Sequence, residues 1–203
     1  MARLLLVVHT VLAAALVAVS THLVVWMRGF PRGRFQRLQA IRKLSLISAC
    51  LFVATFVVGN VLYPVYKVRV RAEYLEQPSA LMDEVESRAR ARAQTAARYR
   101  DSADGDGPLP DARVPSDREL ARNSAHVPRE AAKVARWFDV KEHWVAFGMA
   151  LAIAVAVLVR RWHPKRDGGG IANIVFLMAL AAAFSTWLGA LVGIVVSSYR
   201  AVG

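Results

Sequence analysis

LLLVVHTVLAAALVAVSTHLVVWM, residues 4–27, runs for 24 residues without an aspartate, glutamate, lysine or arginine. A bilayer hydrocarbon core about 30 Å thick is crossed by roughly 20 helical residues, and in lipid a helix satisfies its own backbone groups, so this stretch reads as a spanning helix. Three more uncharged stretches follow: Leu44 to Tyr66, His143 to Val159 and Ile171 to Tyr199. The third is the shortest. Its flanks carry Trp137, Phe138 and Trp144 at one end and Arg160, Arg161 and Trp162 at the other, the aromatic and cationic pattern of a membrane interface, which extends the span to 143–161. The fourth exceeds the hydrocarbon thickness and is expected to tilt or protrude.

Net charge is +12, and its distribution decides what it means. Between the first two spans stand Arg28, Arg32, Arg34, Arg37, Arg42 and Lys43 with no acidic residue. Between the last two stand Arg160, Arg161, Lys165 and Arg166 against Asp167. The connection from Lys67 to Lys141 carries 15 basic and 13 acidic residues. Cations in short loops at span ends mark the cytoplasmic side, so the expectation is a multi-pass protein of the bacterial cytoplasmic (inner) membrane, with both termini and the long connection outside. The basic charge is then a topology signal. It suits contact with anionic lipid heads of the bilayer and does not point to nucleic acid. Residues 1–3 and the following apolar run imitate a secretory signal, but the run continues through Trp26 into six cations, so an uncleaved first span is expected.

The long connection divides further. Pro78 is expected to end an extension of the second helix, and Ser79 with Asp83, Glu84 and Glu86 to start another that reaches Arg100. Residues 102–115, SADGDGPLPDARVP, cannot bury enough apolar area to order and read as a flexible loop. Ser116 with Glu119 forms a capping box for a short helix through Ala125, and Pro128 suits the first turn of a helix running on to Arg161. Beyond the second span, Tyr63, Lys67, Val70 and Tyr74 fall on one helical stripe, with Pro64 able to kink the helix below them. The predicted fold is all-α: an integral membrane four-helix bundle (segments 1–66 and 142–203) with a helical, partly disordered outer hairpin over 67–141.

Three seams of small residues mark where backbones approach closely: Ser48, Thr55 and Gly59 on the second span, Gly148, Ala152 and Ala156 on the third, Gly189 and Gly193 on the fourth. Cys50, the single cysteine, excludes an intrachain disulfide and reads as a small apolar filler. No nucleotide-binding loop, oriented nucleophile or metal-ligand spacing occurs, so an enzyme is not the expectation.

Chemistry would have to come from polar residues at membrane depth. The outer side collects His9, Asn60, Tyr63, Tyr66, Glu142, His143, Ser197, Ser198 and Tyr199; the inner side collects His22, Ser45, His163 and Asn173. His9 and His143 come from different spans at similar depth, as axial ligands of a b-type haem would. His22 fits less well, because 13 residues after His9 it stands about 220° away around the helix. Three readings follow: a non-catalytic packing or accessory component with a membrane-protein partner or a homo-oligomer, a small haem b cytochrome using His9 and His143, and a proton or solute conduit.

The motifs STHLVVW (20–26), YPVYKVRVR (63–71) and KEHW (141–144) together resemble a group of small four-span bacterial membrane proteins. The resemblance covers most of the chain outside the 102–115 loop. It implies the four-span topology and supplies no activity.

Overall fold

A computed structural model describes residues 2–102, 117–164 and 170–199, and every element in them is helical. Helix α1 spans Ala2–Met27, followed by a 3-10 turn at Phe30–Arg32. Helix α2 spans Leu38–Val65 and continues as a π-helical stretch, Tyr66–Leu75. Helix α3 spans Pro78–Ser102, α4 Asp117–Arg161 and α5 Gly170–Tyr199. The flexible loop expected at 102–115 falls, beyond Ser102, outside the described residues, as do Ser116 of the capping box and the charges Lys165, Arg166 and Asp167.

Four helices are long and apolar enough to cross a membrane: Arg3–Arg32, Leu38–Leu75, Ala131–Arg161 and Gly170–Val196. The chain separates into two compact units, residues 1–66 with 136–203, and residues 67–135.

In the first unit, neighbouring helices run antiparallel in one register. His9 of α1 lies against Gly59 of α2. Midway, Leu16, Phe52, Ala152 and Ala182 form a buried layer with one residue from each of α1, α2, α4 and α5. Toward the short loops a larger cluster gathers Leu23, Met27, Phe30, Ile41, Val155, Val159, Trp162 and Val175. The small-residue seams lie where the helices meet: Gly148 faces Ser185 and Phe52, and Gly189 faces Val145. Hydrogen bonds between helices accompany them, Ser20 with Thr186 at 3.0 Å, Trp187 to Thr21 at 3.0 Å, and Ser185 to the Trp144 carbonyl at 2.5 Å.

Polarity in this unit is inverted relative to a water-soluble domain. Ser20, Ser45, Ser48, Thr55, Ser185 and Thr186 are buried, whereas Leu177, Phe184, Leu191 and Ile194 of α5 are each more than half exposed, as are Leu4, Val7 and Val11 of α1. Soluble monomers seldom leave such contiguous apolar surface in water, so the arrangement is compatible with a membrane protein.

At the short-loop end, Arg42 reaches from α2 to the end of α4. Its Nε donates to the Val159 carbonyl at 3.0 Å and its Nη2 to the Trp162 carbonyl at 2.7 Å. These carbonyls lie at a helix C-terminus, where a cation also meets the negative end of the helix dipole.

Where α2 runs on past Val65, the stripe expected from α-helical spacing is redrawn. Tyr66, Val70, Tyr74 and Leu75 are buried, and Lys67 is exposed. The cause is the π-helical winding, marked at its end by the bond from the Glu76 amide to the Arg71 carbonyl at 2.9 Å. Five-residue hydrogen bonding turns the side chains more slowly than the α-helical period assumed. Pro64 sits just before this stretch and withholds one backbone donor from the α-helical ladder. Along α3, Glu84 pairs with Arg88 and Glu86 with Arg90, the four-residue spacing that supports an exposed helix.

Pro128, expected to open a helix, lies inside α4 instead. No glycine interrupts 117–135, so continuing the helix through Pro128 forgoes one hydrogen bond while stopping it would forgo several.

Candidate functional site: a basic and aromatic level across four helices

The axial register brings one set of residues to a common level near the start of α1: His9 from α1, Gly59 from α2, Lys141 from α4 and Gly193 from α5. The His9 ring packs on Gly59 so closely that a methyl there would lie 3.1 Å from its Cε1. On the other side, the Lys141 ammonium reaches Gly193, where an added methyl would lie 3.4 Å from Nζ. Lys141 also acts electrostatically on His9 and on Glu142. Gly59 thus makes room for the His9 ring, and Lys141 reaches the same level from α4 at ordinary contact distance from Gly193.

An aromatic stack continues the level. Lys141 Nζ lies 5.0 Å from the centre of the Phe138 ring, a cation–π distance. Phe138 stacks on Tyr66 with centroids 3.7 Å apart, and Tyr63 stacks beside both at 6.3 and 6.4 Å. One turn below Gly59, the Thr55 hydroxyl is buried and has no hydrogen-bond partner among the described residues. A buried polar atom without a partner is uncommon in a packed interior.

The residues singled out by sequence are dispersed around this level. His143 is exposed, and its Nδ1 pairs with the Asp139 carbonyl at 2.9 Å. His9 is half-buried on Gly59, so the structure gives a haem between these two histidines no support beyond their similar depth. His22 is exposed with its ring 4.5 Å from that of Trp26. Asn60 is exposed and donates to the Phe56 carbonyl of its own helix at 2.9 Å. Tyr63 and Tyr66 join the stack, and Glu142 stands beside Lys141, half-buried. At the other end, Ser45 is buried and donates to the Arg42 carbonyl, while Asn173 and His163 are exposed. The side chains of Ser197, Ser198 and Tyr199 lie outside the described residues. Among the described residues, no three His, Cys, Asp or Glu side chains gather as a metal site would require.

Lys141 is the residue that sequence reasoning passed over. The signal was present in the seam of α4: Lys141 precedes Gly148 by seven residues, about 20° from the same face, whereas His143 stands about 140° away from it. Extending the small-residue seam outward selects the lysine.

Comparison of the chain with family models, with curated proteins and with solved structures finds no match, so the resemblance to small four-span membrane proteins rests on its three short motifs.

Proposed function

We propose that the chain is a multi-pass protein of the bacterial cytoplasmic membrane. In this reading it is a four-helix bundle whose termini and 67–141 connection face outward, and it serves as a non-catalytic packing component of a larger membrane assembly. The observation that carries the reading is the inverted polarity of the first unit: large apolar residues are exposed on all four long helices, while small polar ones are buried on α1, α2 and α5. Lipid accepts such a surface, and so does the apolar face of another spanning helix. Trp144 and Phe147 of α4 with Phe184 of α5, exposed and in edge contact, offer one facet of that kind.

Reporter fusions test the topology. A cytoplasm-active reporter placed at residue 35 and a periplasm-active reporter at residue 105 should both give signal, and activity of one reporter at both positions would overturn the orientation. Native mass measurement after mild detergent extraction tests the assembly. A stoichiometric partner or oligomer is expected, and a strict monomer at all detergent concentrations would overturn it.

The inward pair Lys141 and His9 favours a second reading, a conduit in which these groups handle a proton or an anionic solute. Flux from loaded vesicles separates the two. A conduit loses flux on Lys141→Met with the fold intact, whereas a packing component shows no flux in either form.

A further inference from the structure

The arginine-rich connection between α1 and α2 is a folded turn. Amides of Arg32 and Arg34 both bond the Gly29 carbonyl at 3.0 Å, the Gly33 amide bonds the Phe30 carbonyl at 3.0 Å, and Gly33 takes φ +69°, which an L side chain adopts only with strain. Phe30, 1% exposed, pins the turn into the first unit. Its ring lies 5.3 Å from Phe35 and 5.7 Å from Trp162, and Phe35 meets Trp162 edge-on at 5.0 Å. Around this anchor Arg28, Arg32, Arg34, Arg37 and Lys43 are exposed, with Arg37 held 5.6 Å over the Trp26 ring. Arg160 and Arg161 are exposed at the adjoining end of α4, tied to the same place through Arg42 and Trp162.

We infer that this turn is a specific binding site for the phosphate of an anionic phospholipid, beyond the general attraction between cations and a negative leaflet. The inference rests on the membrane reading above. Guanidinium groups match phosphate oxygens in bidentate geometry, and the anchored backbone fixes where their side chains start, so less ordering is left to do on binding than for a mobile loop. Trp26, below Arg37 and at the last turn of α1, is placed as an interfacial aromatic would be. A lipid is the occupant the observations favour, because the cations form the end cap of the helices whose sides are apolar.

Native mass spectrometry of the full chain, extracted in neutral detergent and titrated with phosphatidylglycerol or phosphatidylcholine, tests the inference. The expected result is one or two retained phosphatidylglycerol molecules per chain, with phosphatidylcholine bound at least tenfold more weakly. Each of Arg32→Ala, Arg34→Ala and Arg37→Ala should weaken retention about fivefold. Gly33→Ala is the deciding variant, since it removes no charge, meets no atom within 4 Å, and disturbs only the left-handed backbone of the turn. A specific site loses phosphatidylglycerol on Gly33→Ala by at least threefold, and Phe30→Ala does the same by releasing the anchor. Unchanged retention in both, with losses set only by the number of cations removed, would overturn the inference in favour of unspecific attraction. Co-purification of an acidic polypeptide that displaces the lipid would overturn it as well. A chain that stays dispersed without detergent would instead refute the membrane reading itself.

Discussion

Replacing Gly148 by alanine is expected to lower the stability of the extracted protein by about 1–3 kcal/mol, the usual cost of an extra methyl in a packed interior. The new methyl would overlap Ser185, lying 2.6 Å from its Cβ and in contact with its Oγ, and 3.3 Å from the Phe52 ring. Ser185 cannot give way easily, because its hydroxyl is held by the Trp144 carbonyl across the same interface. The sign is informative. A mid-helix glycine replaced by alanine normally gains about 1 kcal/mol from helix propensity, so a net loss reports the clash and not the helix. Thermal unfolding in detergent, followed by tryptophan fluorescence, reads the effect as a lower midpoint. Gly148→Ala combined with Ser185→Gly moves the bulk to the other side of the contact and should recover a large part of the loss. A single variant as stable as the parent would show that α4 and α5 do not meet at this seam.

Arg42→Ala should cost about 2–3 kcal/mol. Hydrogen bonds from a charged donor contribute roughly 1.5–3 kcal/mol each, and this guanidinium makes two, reduced here because the group is only partly buried. The carbonyls of Val159 and Trp162 would lose the donor that closes the end of α4. Arg42→Lys separates geometry from charge: an ammonium keeps a cation at the helix terminus but lacks the planar fork, so it should fall between the parent and the alanine variant. Arg37→Ala serves as the comparison, since an exposed cation–π contact is worth about 0.5–1 kcal/mol. Chemical denaturation monitored by circular dichroism would rank the four proteins. If Arg42→Ala proved no worse than Arg37→Ala, the cap would not hold α2 to α4.

The long helices were legible in the sequence because hydropathy over some 20 residues is a sum, insensitive to any single position. The helices corresponding to the four stretches begin before the residues where the stretches begin, and all four end within a residue or two of the expected limit, α2 giving way there to its π-helical continuation. The seams were legible too. Gly148 with Ser185, Gly189 with Val145, and Gly59 with His9 all lie at helix contacts, since glycine and serine in an apolar run have few reasons to be there except close approach.

Which polar residue turns inward was harder. Depth along a helix can be counted from its end, and His9 and Lys141 do lie level, but facing depends on angle. Two residues separate Lys141 from His143, and that is about 200° of rotation. The stripe predicted through Lys67 failed for a related reason: it assumed 3.6 residues per turn in a stretch that winds as a π-helix. The fixed turn at Phe30–Arg32 was hidden behind its own charge. Exposed arginines dominate the connection, while its buried anchor, Phe30, is one of only two phenylalanines among them.

The nesting of His9 on Gly59 has a bearing on descent. The imidazole occupies volume that Gly59 leaves vacant, so a bulkier side chain at 59 demands a smaller one at 9. Inheritance should therefore act on the couple 9/59 as a unit. A lineage that trades the histidine for alanine is free to fill position 59, and one that keeps it is not.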